Sequence, residues 1–449
     1  MPSVAEDLAQ RIVAVKDVPS SVRIAMEDLV LDVVGLCVAA RATDYVAAIL
    51  AACPEPGGAS MIGQARRGDA AGAALVNGTA AHGEDFDDTF EGGPVHAGAV
   101  IVPAVLAAAE TQGADGAALL RGLAIGVETI CRLSLVAPKR VHQAGFHPTS
   151  VFGTLAAAAA VGTTLGLDAA GLVDALGVAG SMAGGLIEYL AEGAWTKRLH
   201  PGWAAQAGLR AALLARAGFR GPRTVFEGTH GLFHGFARGT QGEYGRLTGT
   251  FGESWVAETI AFKPFACGTM IHPYIDCAIR LAGHGIAPSD IVEILCEVGE
   301  GTVHRLWEPL AQKQAPPNAY AAKFSTPFCI AAGFFLGDAG LAAFTEERAR
   351  DPRLRELAAK VRYVVDPKNP YPDNFTGHLR ARLRDGRIIE ERQPHLRGGA
   401  REPLSRAAIE AKFFANAAYG GWPRAQAEAA CEEVRRLFAG PLDLAALRG

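Results

Sequence analysis

The sequence predicts a mainly α protein, with a large all-helical domain and a smaller α+β domain, on three observations. Residues 1 to about 260 run as successive segments with apolar residues at helical spacing, rich in Ala and Gly. Between about 263 and 400 the texture shifts to β-branched, alternating segments that end in a hairpin signal. Beyond about 400 helical spacing returns. The expected organisation is therefore 1–262 as the first part of the helical domain, 263–400 as the α+β domain, and 401–449 as helices that rejoin the first part.

Each element has a local reason. Residues 20–40 carry apolar side chains at helical spacing behind Ser20 or Ser21 as N-cap. Residues 97–112 are apolar nearly all round, as a central helix would be, and 113–133, 150–167 and 169–190 look similar. A helix over 203–217 has Gly218 as its stop, with Pro222 beyond. In the second domain, 291–304 has β-branched residues and some alternation, 361–366 reads as a strand and 318–336 as a helix. Asp385-Gly386, set between alternating segments over 378–393, predicts a tight hairpin turn.

Composition narrows the function classes. With 49% hydrophobic and 20% charged residues over 449 positions, the chain reads as an ordinary globular protein of two or three domains. A net charge of −4 argues against binding nucleic acid through bulk charge, so an anionic ligand would need local cationic segments. The eight Cys include no CxxC pair and read as reduced, mostly buried thiols of a cytoplasmic protein. The acidic opening residues lack an apolar signal core, and the uncharged run 148–167 is better read as a buried helix than as a membrane span, so no membrane partner is expected.

Four segments carry candidate chemistry. The first is Thr196 to Gly208, where Lys197, Arg198 and His200 fall within four residues just before a small-residue helix. Only 9 of the 43 basic residues are Lys, and one is kept here. A helix N-terminus favours anions, so the segment reads as an anion-binding turn or as a merely solvated one. The second is His82 to Thr89, followed by His96, with Glu84, Asp85, Asp87 and Asp88 in five positions. Like charges this close raise one another's pKa; the cluster suits a Mg²⁺ site or an N-capping acidic turn. The third is Gly145 to Ser150, where Pro148 can open a helix and so place His147 at its N-terminus. The helix dipole there lowers an imidazole's pKa and leaves a neutral base; a structural His is the alternative. The fourth holds Lys263, Cys267 and His272, with Pro273 as a helix opener and Cys267 as a packed thiol or, less readily, a nucleophile.

No P-loop, GxSxG, HExxH or strand-led GxGxxG is present, which removes the common nucleotide, hydrolase, metalloprotease and dinucleotide readings. What remains suits proton transfer on a polycarboxylate. Lys197 and Lys263 would hold carboxylates while a His moves a proton at the adjacent carbon, because the resulting dianion needs fixed cations.

At this point the residues resemble the MmgE/PrpD family, which includes 2-methylcitrate dehydratase, cis-aconitate decarboxylase and iminodisuccinate epimerase. Residues 77–89, 95–110, 145–160 and 196–208 resemble its motifs in order, and 321–328 and 403–413 add two more. The resemblance covers nearly the whole chain. It implies a helical domain with an α+β lid, a homodimer, no required metal or organic cofactor, and a small carboxylic acid as substrate. Carried over by motif, the site comprises Asp85, Thr89, His96, His147, Lys197, Lys263 and His272, which moves the acidic cluster from metal site to substrate pocket. Two positions depart from the family. Gly268 stands where cis-aconitate decarboxylases carry a His, and Phe328 where a Tyr is usual. Both remove a proton donor and point away from aconitate decarboxylation.

The leading expectation is a cofactor-independent lyase or hydratase. His147 or His96 would move the α-proton and Asp85 would orient a His or Lys. Lys197, Lys263, Thr89 and His272 would hold substrate. Epimerisation and decarboxylation pass through the same carbanion. A Mg²⁺-dependent lyase acting on a diphosphate, and a non-enzymatic binding protein, are the alternatives from other classes.

Overall fold

In the computed structural model, which describes residues 2–93 and 95–449, the chain divides into two compact units, 1–260 with 405–449 and 261–404. The helices of eight residues or more are numbered here. Unit 1 begins with α1 (Val4–Ala14), α2 (Ser20–Ala40), α3 (Asp44–Ala52), α4 (Ala70–His82), α5 (Gly98–Gln112), α6 (Gly116–Val136), α7 (Pro148–Thr164), α8 (Ala169–Met182) and α9 (Thr196–Arg216).

Short polar caps start these helices where the sequence offers them. A capping box formed by Ser3 and Glu6 opens α1, and Asp69, Asp115 and Asp168 each accept a main-chain N–H at the start of α4, α6 and α8. Neither Ser20 nor Ser21 caps α2: both are already helical, and Pro19 stands before them. Every residue of α7 is buried, as is nearly all of α5, so these two apolar helices form the centre of unit 1. Among the described residues no single helix is long and apolar enough to cross a membrane.

Small residues let the helices cross closely. A Cβ on Gly78 of α4 would lie 2.6 Å from the Gly202 Cα of α9, and one on Gly202 would lie 2.3 Å from the Leu75 carbonyl oxygen. Further along α9, a Cβ on Gly208 would meet Ala157 and the Thr154 carbonyl of α7 at 2.5 Å. These contacts fix α9 against α4 and α7 at backbone distance.

Two elements differ from the sequence reading, with consequences for the site. Helix α8 ends at Met182 rather than near 190, because residues 183–187 run extended and bridge back: His147 and Ile187 donate their N–H groups to the carbonyls of Gly185 and Gly145. Helix α9 starts at Thr196, not 203, and contains Pro201. Tertiary packing overrides the main-chain hydrogen bond that Pro201 removes. Lys197 and His200 therefore stand on the helix itself, three residues apart and on one face.

Unit 2 is α+β. Its helices are α10 (His272–Gly283) and α11 (Thr326–Leu336), and its strands are β1 (Ile291–Val298), β2 (Val361–Val365), β3 (Gly377–Leu383) and β4 (Ile388–Gln393). The sheet order is β2-β1-β3-β4, with β1 parallel to β2 and all other pairs antiparallel. Strands β3 and β4 form the expected hairpin around Asp385-Gly386, where Gly386 has φ 88°. Helix α10 covers β3 and β4 and packs on α11, while Val292, Val364 and Ile388 face outward. The helix expected over 318–336 is broken: Ser325 caps a new start by accepting the Phe328 N–H at 3.1 Å. After residue 404 the chain adds α12 (Arg406–Tyr419) and α13 (Arg424–Arg436) to unit 1. All eight Cys are free thiols, seven of them buried.

Candidate active site

Unit 1 gathers one end of each of four helices. The C-terminus of α4 presents His82, the start of α5 follows His96, the start of α7 follows His147, and the first turn of α9 carries Lys197 and His200. The imidazole rings form a cluster: centroids lie 4.7 Å apart for His82 and His96, 5.9 Å for His82 and His147, and 5.2 Å for His147 and His200. Tyr189, on the turn after the extended stretch, sets its ring edge-on to both His147 and His200.

The acidic segment between α4 and α5 is divided among different partners. Glu84 accepts the Tyr45 hydroxyl at 3.1 Å. Asp85 pairs with Lys197; their side chains are only 6% and 13% exposed. Asp87 bonds His82 Nδ1 at 2.7 Å and lies 3.5 Å from His96 Nδ1. Asp88 accepts the N–H groups of Ala97 and Gly98 at 2.9 and 2.8 Å and so caps α5 from nine residues away. Burial and the Asp87 charge push Asp88 up to about 8, against the lowering effect of those donors. The four carboxylates thus diverge rather than converge on one ion, which disfavours the Mg²⁺ reading. Asp85 itself has φ 55°, a left-handed backbone that costs energy in a non-glycine residue. Thr89 lies buried at the end of this segment.

Burial sets the protonation states. His147, the N-cap residue of α7, is pushed well below the ordinary imidazole value, by desolvation first and then by His82, His200, Lys197 and His96. Burial first, then His82 and Lys197, bring His200 down to about 4. Both rings are neutral near pH 7. Their Nδ1 atoms are 3.1 Å apart, so one donates and the other accepts. The result is a neutral base, His147, held by a second neutral imidazole and close to a lysine–aspartate pair.

Lys263 and His272 belong to unit 2. Both are buried; His272 opens α10 and places Nε2 3.3 Å from the Cys267 carbonyl. Burial raises the Cys267 thiol, but Cys329, His272 and Lys263 outweigh it and bring it to about 6. Gly268 has ordinary backbone angles, and a Cβ there would meet nothing nearer than 3.5 Å, so no backbone constraint demands glycine. Phe328 is fully buried, with its ring 6.2 Å from that of Phe344.

His82, His200, Tyr189 and Lys412 were not assigned roles from the sequence. His82 borders the acidic segment and His200 is three residues from Lys197, so spacing could have flagged both. Tyr189 had no local signal. Lys412 of α12 reaches back to the acidic segment: its Nζ donates to the Phe86 carbonyl and pairs with buried Asp32, each at 2.7 Å. Arg198 turns away and stacks on Tyr45 at 4.6 Å.

Comparisons with known proteins agree along most of the chain. The family model for the MmgE/PrpD N-terminal domain matches residues 6–244, and that for the C-terminal domain matches 265–437. The second match extends over α12 and α13, which pack within unit 1. The chain is 31% identical to cis-aconitate decarboxylase of Mus musculus, over 77% of this chain and 71% of that protein. It is 32% identical to the Homo sapiens protein of the same name, over 77% and 72%. To cis-aconitate decarboxylase of Aspergillus terreus it is 26% identical, over 89% and 86%.

Proposed function

This chain belongs to the MmgE/PrpD family, and from that premise we propose that it is a lyase acting on a small tricarboxylic acid by proton transfer at a carboxylate-bearing carbon. The observation that carries the reading is the neutral His147 beside the Lys197–Asp85 pair, where the starts of α5, α7 and α9 meet. Three positive helix ends and an ammonium favour negative charge on a ligand while keeping the imidazole unprotonated.

His147 removes the α-proton, or His96 returns it from the other side of the cluster. The electron pair left on carbon delocalises into the adjacent carboxylate, which becomes a dianion held by Lys197. Loss of hydroxide from the neighbouring carbon, with a proton to make water, completes a dehydration. In a decarboxylation CO₂ leaves, its bonding electrons stay on carbon, and a proton taken up from solvent reaches that carbon by way of the histidine. Asp85 fixes the Lys197 ammonium. For Thr89, Lys263 and His272 we propose substrate binding, on the family motifs alone. The relatives' names support decarboxylation, whereas Gly268 and Phe328 each lack a proton donor, so a dehydratase acting on a citrate-like acid is the reading we favour. A dicarboxylate epimerase shares the carbanion, and a homodimer is the assembly we expect.

The test is turnover by the purified full chain on cis-aconitate, citrate and 2-methylcitrate, followed by NMR in D₂O. The expected result is consumption of one tricarboxylate with loss of water. Release of CO₂ would replace dehydration by decarboxylation. No turnover and no deuterium exchange at the α-carbon of any of these acids would overturn the proposal.

A further inference from the structure

We propose that His82, His96 and His147 form a binding site for one divalent transition-metal ion of the Zn²⁺ class, which acts as an inhibitor and not as a resident cofactor. One ring nitrogen from each lies within 4.8 Å of the others, and the three rings come from three different segments of unit 1. A tetrahedral Zn²⁺ with nitrogens at 2.0–2.1 Å needs them roughly 3.4 Å apart, a contraction of at most about 1.4 Å that side-chain rotation supplies.

The surroundings are those of a metal site as well as a histidine cluster. A metal-binding imidazole is commonly oriented by an acceptor on its other ring nitrogen. The Asp87 carboxylate takes His82 Nδ1 at 2.7 Å, the Asp88 carbonyl takes His96 Nδ1 at 2.7 Å, and His200 engages His147 Nδ1 at 3.1 Å. In the His82 and His147 rings this leaves Nε2 on the side away from that partner, and His96 brings a ring nitrogen within reach of both. Among the described residues His82 Nε2 is buried without a hydrogen-bond partner, which is costly for a polar atom unless something occupies it. The His96 side chain is 13% exposed and offers an approach from solvent. Three imidazoles suit Zn²⁺, Co²⁺ or Ni²⁺ and not the hard Mg²⁺ ion, and they leave a fourth position open. A bound ion uses the lone pairs that proton transfer needs, so metal and turnover exclude each other. The inference shares residues with the proposed reaction but is read without substrate, so either can fail alone.

The experiment is calorimetric titration of the metal-free full chain with Zn²⁺ and Co²⁺, with Mg²⁺ as control. One Zn²⁺ or Co²⁺ per chain is expected, with the visible bands of tetrahedral cobalt and no Mg²⁺ binding. His96→Gln and His82→Ala should each weaken binding at least about tenfold, and Asp87→Asn by 10- to 100-fold. His234→Ala, which breaks the exposed His230–His234 ring pair, should leave it unchanged. Should His82→Ala fail to fold, the partly exposed His96→Gln carries the test. Absence of Zn²⁺ binding, or binding that persists undiminished in His96→Gln, or that is lost with His234→Ala, overturns the proposal.

Discussion

Replacing Lys197 by Met separates two contributions of one ammonium group. Lys197 pairs with Asp85, and their side chains are 13% and 6% exposed. Removing one member of a buried pair leaves the other charge uncompensated, at a cost of about 3–5 kcal/mol; the residual exposure of Lys197 places the expected loss near 3 kcal/mol. If Lys197 also holds the dianion, kcat/KM should fall by about 10²- to 10³-fold, as when one donor to a developing anion is lost. The double variant Lys197→Met/Asp85→Asn distinguishes the two. Asparagine tolerates the left-handed backbone at position 85, where φ is 55°, so the change removes charge without adding strain. Urea denaturation followed by circular dichroism should show the double variant regaining at least half of the lost stability. Turnover on the tricarboxylate found by screening should stay low. Activity of Lys197→Met within about twofold of wild type, or a double variant no more stable than the single one, would refute the reasoning.

Three further outcomes follow from the packing and charge of unit 1. His200 has a folded pKa of about 4 against 6.5 for the free side chain, so between those pH values the unfolded chain binds the extra proton and the folded one does not. Stability should therefore fall as pH drops from about 6.5 to 4, by about 3 kcal/mol from this group, and His200→Gln, measured in chelator, should lose that slope. Gly202→Ala puts a methyl carbon 2.3 Å from the Leu75 carbonyl oxygen and should cost about 1–3 kcal/mol in denaturant unfolding, with reduced activity because α4 and α9 carry the cluster. Lys412→Met leaves buried Asp32 without its cation and the Phe86 carbonyl without its donor; a loss of about 3–5 kcal/mol is expected by the same measurement, and an unchanged unfolding midpoint would show that the pair contributes little.

Much of the fold was legible locally. Apolar periodicity located α2, α5 and α7, and Asp385-Gly386 located the β3–β4 hairpin, because each of these signals depends on a few neighbouring residues. Boundaries failed where a distant segment supplied the missing interaction. Helix α8 stops at Met182 because the chain pairs with residues 145–147, and α9 runs through Pro201 because Gly78 and Gly202 bring it against α4.

Sequence alone settled which residue types were available: Lys197, His147, His96 and a run of acids, each next to a helix end. It could not assign the four carboxylates of that run, which lie within five positions of one another yet go to Tyr45, Lys197, His82 and the start of α5. Nor could it show that His82 and His200 share a buried space with His147, where lost water holds the His147 and His200 imidazoles neutral. Helix capping and hydrophobic spacing are short-range and can be read along a chain. Desolvation and charge pairing depend on what the fold brings together from positions far apart, and only the tertiary structure decides that.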